Sequence, residues 1–197
     1  MPSNAAPFEI LAGPADIYIA AAGTAFPLID AVPAVAWTKL AGALNLTEDG
    51  VKITGNGTED AVFSLGGTGS RKGFRTRQEV SVDFVLMDAT AEAYKQALDG
   101  NAIVTTVAGV GVAGNKAIEL SMPGGAIITK ALLVRAPVSP YADLFATQWE
   151  FPRVYQKGHP ETKYVKGVPV GLAFMFAVMD DDNGNKGKYR TQTAAAL

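Results

Sequence analysis

The chain has 197 residues, of which 48% are hydrophobic and 18% charged, and its formal net charge is −2 at pH 7. A charged fraction below the roughly 25% of an ordinary soluble domain leaves a more neutral surface, which favours burial against other subunits over a monomer with a bland surface. The small negative charge argues against a dedicated DNA-binding protein, and the absence of cysteine excludes disulfides, thiolate chemistry and the usual structural zinc sites.

The beginning of the chain carries no sign of a targeting segment. Residues 1–20 lack the basic start and the long apolar run of a signal peptide. No stretch of the sequence approaches the roughly 18 to 20 uncharged apolar residues of a membrane helix. We therefore expect a soluble chain that is neither exported nor inserted into a membrane.

Glycine and proline punctuate the whole sequence, and β-branched and aromatic residues fill the intervals, which predicts an all-β domain. The clearest strand covers residues 78–86, where apolar and polar residues alternate with a period of two. Its apolar face carries Val80, Val82, Phe84 and Leu86, and its polar face carries Glu79, Ser81 and Asp83. The other predicted strands are residues 16–20, 36–40, 102–107, 116–121, 126–134, 145–155 and 168–178.

Residues 46–78, before the clearest strand, are rich in Gly, Asn, Thr and Ser. A loop of this length is unusual inside a compact domain, so we expect it to be disordered or held by a partner. It contains a basic run formed by Arg71, Lys72, Arg75 and Arg77.

One helix is predicted over residues 90–98, with Asp88 as its cap and Gly100 as the left-handed residue that ends it. Ala91, Tyr94 and Leu98 recur at helical spacing, so one face of this helix can pack on a sheet. The expected fold is an all-β β-sandwich or barrel with one flanking helix. It forms a single domain over residues 1–197, with an N-terminal arm to about residue 13 and a C-terminal tail from about residue 180.

Two glycine-rich motifs suggest nucleotide binding but lack its structural context. Residues 109–114 match G-x-G-x-x-G, yet the next segment is short, strand-like and broken by Pro123, so no helix opens toward a pyrophosphate. Residues 66–72 resemble a phosphate loop without the closing Gly-Lys-Ser/Thr. We interpret the first motif as a turn between strands and the second as a contact loop.

Metal and catalytic chemistry also lack the residues they need. Residues 180–185 resemble part of a calcium loop, but no glutamate closes the coordination sphere, so a solvated turn is predicted and weak cation binding stays open. His159 is the only histidine, which excludes common zinc sites, and no nucleophile motif accompanies it. We predict no catalytic residue, no metal site and no cofactor.

Several stretches resemble the phage major tail protein family, also called tail tube proteins. They are GPADIYIA (13–20), GTAFP (23–27), WTKL (37–40), TEDGV (47–51), RTRQEVSVDF (75–84) and TAEAYKQAL (90–98). The resemblance rests on the order and spacing of elements and covers about half of the chain. The C-terminal half matches only as a general β pattern.

The resemblance implies a virion structural protein that is not an enzyme. Subunits of this family form hexameric rings that stack helically into the tail tube of a siphophage-like virion, assembled in the host bacterial cytoplasm. The inner sheets would close around a lumen through which DNA passes, and other tail proteins would bind the tube ends. The family's long loop after the second strand reaches the neighbouring ring, and by position that loop is residues 46–78.

Two groups of candidate site residues follow. The lumen-facing candidates are Glu79, Ser81 and Asp83, whose repeated carboxylates would repel DNA phosphates; simple exposure to solvent is the alternative. The inter-ring candidates are the cations Arg71, Lys72, Arg75 and Arg77, paired with the acids Glu48, Asp49, Glu59 and Asp60 of the next ring. A solvated basic loop is the alternative for this second group. Further positive charge on Lys157, Lys163 and Lys166 would weaken the lumen interpretation if it faced the channel.

Other functions remain open. A tube subunit of a contractile tail or secretion system belongs to the same physical class. A β-sandwich module that binds a ligand such as a carbohydrate would need an exposed aromatic platform, for which the candidates are Trp37, Trp149, Tyr141 and Tyr155. An enzyme ranks third, because no constellation of nucleophile, base and orienting group is evident.

Overall fold

The computed structural model describes residues 13–98, 100–122, 124–136 and 147–191. It confirms an all-β fold with one short helix. The strands are β1 Asp16–Ala21, β2 Thr38–Ala41, β3 Leu46–Phe63, β4 Ser70–Leu86, β5 Ile103–Thr106, β6 Asn115–Ile118, β7 Lys130–Ala136, β8 Thr147–Gln156, β9 Thr162–Val165, β10 Val168–Val178 and β11 Lys188–Thr191; the helix α1 is Ala91–Ala97.

Within the described residues, nine strands form one antiparallel sheet, whose main path runs β2-β1-β7-β8-β10-β4-β3. β9 pairs with β10 and β11 pairs with β8, while β5 and β6 form a separate two-stranded hairpin. β8 and β9 lie end to end along the same edge of β10. Between the two paired stretches, the Lys157 amide donates a hydrogen bond to the Met175 carbonyl.

The main sheet curls back on itself. β2 and β3 are the two ends of a path that would span about 29 Å if it were flat. The chain between Ala41 and Leu46 reaches at most about 19 Å. A short connection therefore holds the ends together, and the Leu46 amide donates to the Gly42 carbonyl within it (3.2 Å).

The curled sheet encloses the main core. Strand alternation turns the same-face residues of β1, β4, β7 and β10 inward. Phe84 and Phe174 are register partners and stack with ring centroids 5.0 Å apart. The fully buried inner residues include Ile17, Val82, Leu132, Val154, Leu172 and Phe176. This cluster matches the apolar face predicted for residues 78–86.

A smaller cluster lies on the other face of the sheet, beneath the connection between β1 and β2. Trp37 is buried there beside Leu133 and donates its indole N–H to the Ala25 carbonyl (3.1 Å). Arg135 fastens the same connection, because its guanidinium donates to the carbonyls of Ala31 (2.7 Å) and Leu28 (2.9 Å). Burial lowers the pKa of Arg135, while the two carbonyls and the side-chain oxygen of Gln148 accept hydrogen bonds from its charged form.

The helix begins and ends close to its predicted limits. Its cap is Thr90 and not Asp88, because the Thr90 hydroxyl accepts from the Ala93 amide (3.2 Å). Gly100 has φ +85° and donates its amide to the Lys95 carbonyl (2.8 Å), which confirms it as the left-handed residue after the helix.

The prediction of a loop over residues 46–78 is wrong. These residues form β3, the connecting turn and about half of β4, and the two strands pair with each other as one long antiparallel hairpin. Glycine and small polar residues suggested a loop, but the two strands supply one another's hydrogen bonds across the register from Leu46 to Phe63. Other differences are smaller: β7 begins at Lys130 and not at residue 126, and β9 and β11 were not predicted.

Candidate assembly surface

The distal half of the β3–β4 hairpin projects from the body, and we call residues 55–79 the arm. Every residue of the arm except Ser64 is exposed, whereas β4 beyond the arm alternates between buried and half-buried residues and β3 contributes the buried Leu46. From Ser70 to Glu79 the arm extends about 30 Å. A two-stranded hairpin standing alone in water is marginally stable at best, so the arm lacks the packing that stabilises the rest of the sheet.

Ion pairs within the arm account for four of the charges that the sequence assigned to inter-ring contacts or to the lumen. Arg75 Nη2 lies 3.1 Å from Glu59 Oε1 across the hairpin, and Arg77 pairs with Glu79 along β4. All four side chains are exposed, so these pairs contribute little to stability. They give the cations a partner in their own chain, and they compensate the carboxylate of Glu79.

The end of the arm combines apolar and basic side chains, and we call residues 62–74 the tip. Its exposed apolar side chains are Val62, Phe63, Leu65 and Phe74. Lys72 places its Nζ 5.4 Å from the centroid of the Phe74 ring. Neither Arg71 nor Lys72 forms an ion pair with any described residue.

The chain reverses at the tip through a tight turn. Gly67 donates its amide to the Ser64 carbonyl (3.1 Å). A Cβ on Gly67 would stand 2.7 Å from Ser64 Oγ, so a larger residue at this position would require the Ser64 side chain to rotate.

Two of the three lumen-facing candidates lie on the outer face of the sheet, away from the main core. Ser81 donates to Asp83 Oδ2 (3.1 Å), and both residues are half-buried in the middle of the β10-β4-β3 sheet. The other oxygen of Asp83 is buried without a hydrogen-bond partner in the described part of the chain. Met175, opposite Asp83 on β10, is 45% exposed on the same face. Glu79 lies one step farther, on the arm.

At the opposite end of the hairpin lies an open cleft of about 530 Å³, which we call the end cleft. It is lined by Asp16, Lys39, residues 40–45 and Asp88. Lys39 Nζ forms an ion pair with Asp16 Oδ1 (2.9 Å), while Asp88 has no ion-pair partner among the described residues. Leu44 is 95% exposed at its rim. No local sequence pattern predicts this cleft, because β2 and the end of β4 meet only through the curl of the sheet.

The four acidic inter-ring candidates are divided between the two ends of the hairpin. Glu48 and Asp49 lie in an irregularity of β3 between Leu46 and Val51, close in sequence to the end cleft, and both are exposed. Glu59 and Asp60 belong to the arm. The structure therefore separates acids that the sequence grouped together.

The carboxylates of the acidic turn, residues 180–185, bind amides and cations of the same chain. Asp181 Oδ1 accepts the amides of Asn185 (2.8 Å) and Asn183 (2.9 Å), and the hydrogen bond from Asn185 is the main reason that its pKa is lowered. Asp180 pairs with Lys186 and Asp182 with Arg153. No group of three or more acidic or histidine side chains in the described ranges could hold a metal ion.

The remaining motifs form ordinary turns. Gly109 and Val112 exchange two backbone hydrogen bonds of 3.0 Å around Gly111, whose φ is +74°. This arrangement confirms a glycine-rich turn between β5 and β6. His159 lies exposed next to Gly158, which has a positive φ in the connection between β8 and β9.

No family model matches the chain, and no curated protein matches it.

A search of the described ranges finds no helix with the length and apolar character needed to cross a membrane.

Proposed function

We propose that this chain is a structural subunit that assembles with copies of itself into stacked hexameric rings, as a tail tube protein of a phage does. The observation that carries the proposal is the arm, which exposes both of its faces and presents an apolar tip to solvent. Exposed contiguous apolar surface marks interaction sites, and a projecting hairpin gains its missing packing from a neighbour.

The open edge of β3 supports ring formation. β3 has 18 residues, and within the described residues only β4 pairs with it. Long unpaired strand edges are templates for strands of other chains, and monomeric proteins usually block such edges. A strand of a neighbouring copy that pairs along β3 would continue the sheet from subunit to subunit, and a contact of this kind between unlike surfaces can close into a ring.

The outer face of β4 supports a channel that does not retain DNA. Asp83 carries a carboxylate on this face beside the uncharged Ser81 and Met175, and its register partner on β3, Lys52, adds one positive charge. Repeated around a ring, such a face would carry balanced charge, so it would hold phosphates only weakly and bind no base edges. The role proposed for the chain is passive and without catalysis, in a virion tail that conducts DNA.

Electron microscopy tests this proposal directly. Purified protein at increasing concentration should form rings with a central hole and then tubes in negative stain, and light scattering should give a mass of six chains or multiples of six. A chain that stays monomeric at millimolar concentration, at low and at physiological salt, would contradict the proposal.

The ligand-binding alternative loses part of its aromatic platform. Trp37 is buried, and Trp149 is half-buried between Phe151 and Tyr189. Tyr141 lies outside the described residues, and Tyr155 is half-buried in β8. A contractile tail or secretion tube would use the same ring-forming surfaces and differs by an outer sheath.

A further inference from the structure

The tip and the end cleft lie at opposite ends of the same two strands. Leu46 pairs with Leu86 at one end of the hairpin, and Phe63 pairs with Ser70 at the other. Residues 42–45 directly precede Leu46, and Asp88 follows Leu86 by two residues. The 17 residue steps of β3 between the two ends correspond to about 55 Å. Each copy therefore presents one surface forward and a different one backward along the hairpin.

The chemistry of the two surfaces is complementary. The tip offers the cations Arg71 and Lys72 without ion-pair partners among the described residues, together with the exposed Leu65. The end cleft offers the carboxylate of Asp88 and the exposed Leu44, with Glu48 and Asp49 following along the chain, and these three acids also lack ion-pair partners in the described part. Opposite charges around an apolar contact fix the orientation of two partners and disfavour wrong ones.

We propose that the tip of one copy docks in the end cleft of another copy of this chain. In this arrangement Arg71 and Lys72 lie beside Asp88 and the acids of β3, and Leu65 packs against Leu44. The inference rests on the proposed function and deepens it, since it identifies the surface that receives the arm. Because the two surfaces are different, the contact repeats head to tail and gives the stack a direction.

Lysines near the end cleft limit where the tip of another copy can dock. The hairpin of β9 and β10 extends past the pair of Leu172 and Leu86, and it carries Lys163 on β9 and Lys166 in the turn. These lysines would repel the cations of the tip. The arm is therefore directed to the side of β2 and Asp88, where the end cleft opens.

Disulfide trapping tests the contact, and the absence of native cysteine makes it selective. One variant carries Thr68→Cys at the tip, and a second, enlarged by an affinity tag, carries Leu44→Cys at the cleft. Mixed under mild oxidation, they should give a covalent dimer of unequal chains. The matched control replaces Leu44→Cys with Val35→Cys, which is also fully exposed but lies in the β1–β2 connection. An equal yield with the control, or no mixed dimer with Leu44→Cys, would overturn the inference.

A charge exchange gives a second, independent test. The double substitution Arg71→Glu with Lys72→Glu should raise the concentration needed for stacking by about tenfold or more, since like charges then meet in the cleft. Asp88→Lys in the same chain should recover part of that loss. Lys163→Glu with Lys166→Glu is the control and should not weaken stacking. Absence of recovery, or an equal loss in the control, contradicts the assigned cleft.

The two proposals fail in different ways. Tubes that form without a crosslink between positions 68 and 44 would retain the tube function and remove the assigned cleft. Crosslinked linear chains that never close into rings would support the cleft and contradict the tube. Microscopy of the crosslinked samples distinguishes these outcomes.

Discussion

Glu59 and Arg75 face each other across the β3–β4 hairpin, with Oε1 and Nη2 3.1 Å apart and their backbones in register. Two residues that are 16 positions apart in the sequence are thus neighbours on an exposed ladder. The pair indicates that the arm has a defined strand register of its own, which a partner can recognise as a preformed surface. Preformed surfaces lose less conformational entropy on binding than loops that must first become ordered.

Shortening the arm should separate folding from stacking. We expect a chain in which residues 58–77 are replaced by an Asn-Gly turn to keep the melting temperature of the full chain within a few degrees, because the deleted residues bury no core. The stacks should disappear in negative stain. Thermal unfolding followed by circular dichroism checks the first result and microscopy the second.

The register of the hairpin also provides a control for that experiment. Deleting residues 55–69 alone removes the β3 side of the arm and leaves residues 70–79 without their strand partner. This variant should aggregate more readily than the symmetric deletion, since it exposes an unpaired strand. Full-length tubes formed by the symmetric deletion would contradict the assignment of the arm to inter-subunit contacts.

Phe174→Ala should strongly destabilise the fold. Phe174 is 2% exposed and stacks on Phe84 in the main core, so its truncation leaves a cavity and costs about 3–5 kcal/mol of unfolding free energy. Urea denaturation of the disassembled protein measures this change. Met175→Ala, on the outer face of the same strand, is the matched control and should cost less than about 1 kcal/mol. Similar losses for both variants would contradict the placement of the core.

Arg190→Ala should lower the free energy of unfolding, because it leaves a buried carboxylate without its cation. Glu150 is 2% exposed in β8, and its Oε1 lies 2.6 Å from Arg190 Nε of β11. Removing the cation leaves the carboxylate buried, with Gln148 as its one remaining side-chain hydrogen-bond donor among the described residues. We expect a loss of about 2 kcal/mol, below the 3–5 kcal/mol of a fully buried pair, because Arg190 is half exposed.

A double-mutant cycle isolates this interaction. Glu150→Gln removes the charge that Arg190 compensates, so the double variant should be less destabilised than the sum of the two single variants. Additive losses would indicate that β11 is held by its strand pairing and by the contact of Tyr189 with Trp149 instead.

The turn of residues 180–185 should loosen only at low pH. The pKa of Asp181 is lowered mainly by the amide of Asn185, so its folded pKa lies below its unfolded value. The stabilisation by the carboxylate is therefore complete above the ordinary pKa of aspartate and is lost as pH falls through the lowered pKa. Carboxylate chemical shifts measured by NMR over an acid titration check this direction.

Replacing the donor provides the comparison for this titration. Asn185→Pro removes the backbone N–H, so the pKa of Asp181 should rise toward its ordinary value. An unchanged titration in this variant would show that a group other than Asn185 lowers the pKa of Asp181.

The sequence by itself determined the elements whose signal is local. The alternation of residues 78–86 predicted the buried face of β4, because a period of two describes any strand with one apolar side. The helix and the left-handed Gly100 followed from propensity and backbone sterics, which need no distant contact. The absence of cysteine decided the range of possible chemistry before any fold was known.

Only the tertiary structure decided that residues 46–63 form a strand and that an end cleft exists. After Thr54 every residue of β3 is exposed, so no alternation of apolar and polar residues marks it as a strand. Its conformation depends on hydrogen bonds supplied by β4. The end cleft joins Asp16, Lys39 and Asp88, which lie far apart in the sequence and meet because the sheet curls until its first and last strands are neighbours. Contacts of this kind are set by the closure of the whole sheet, and no local pattern contains them.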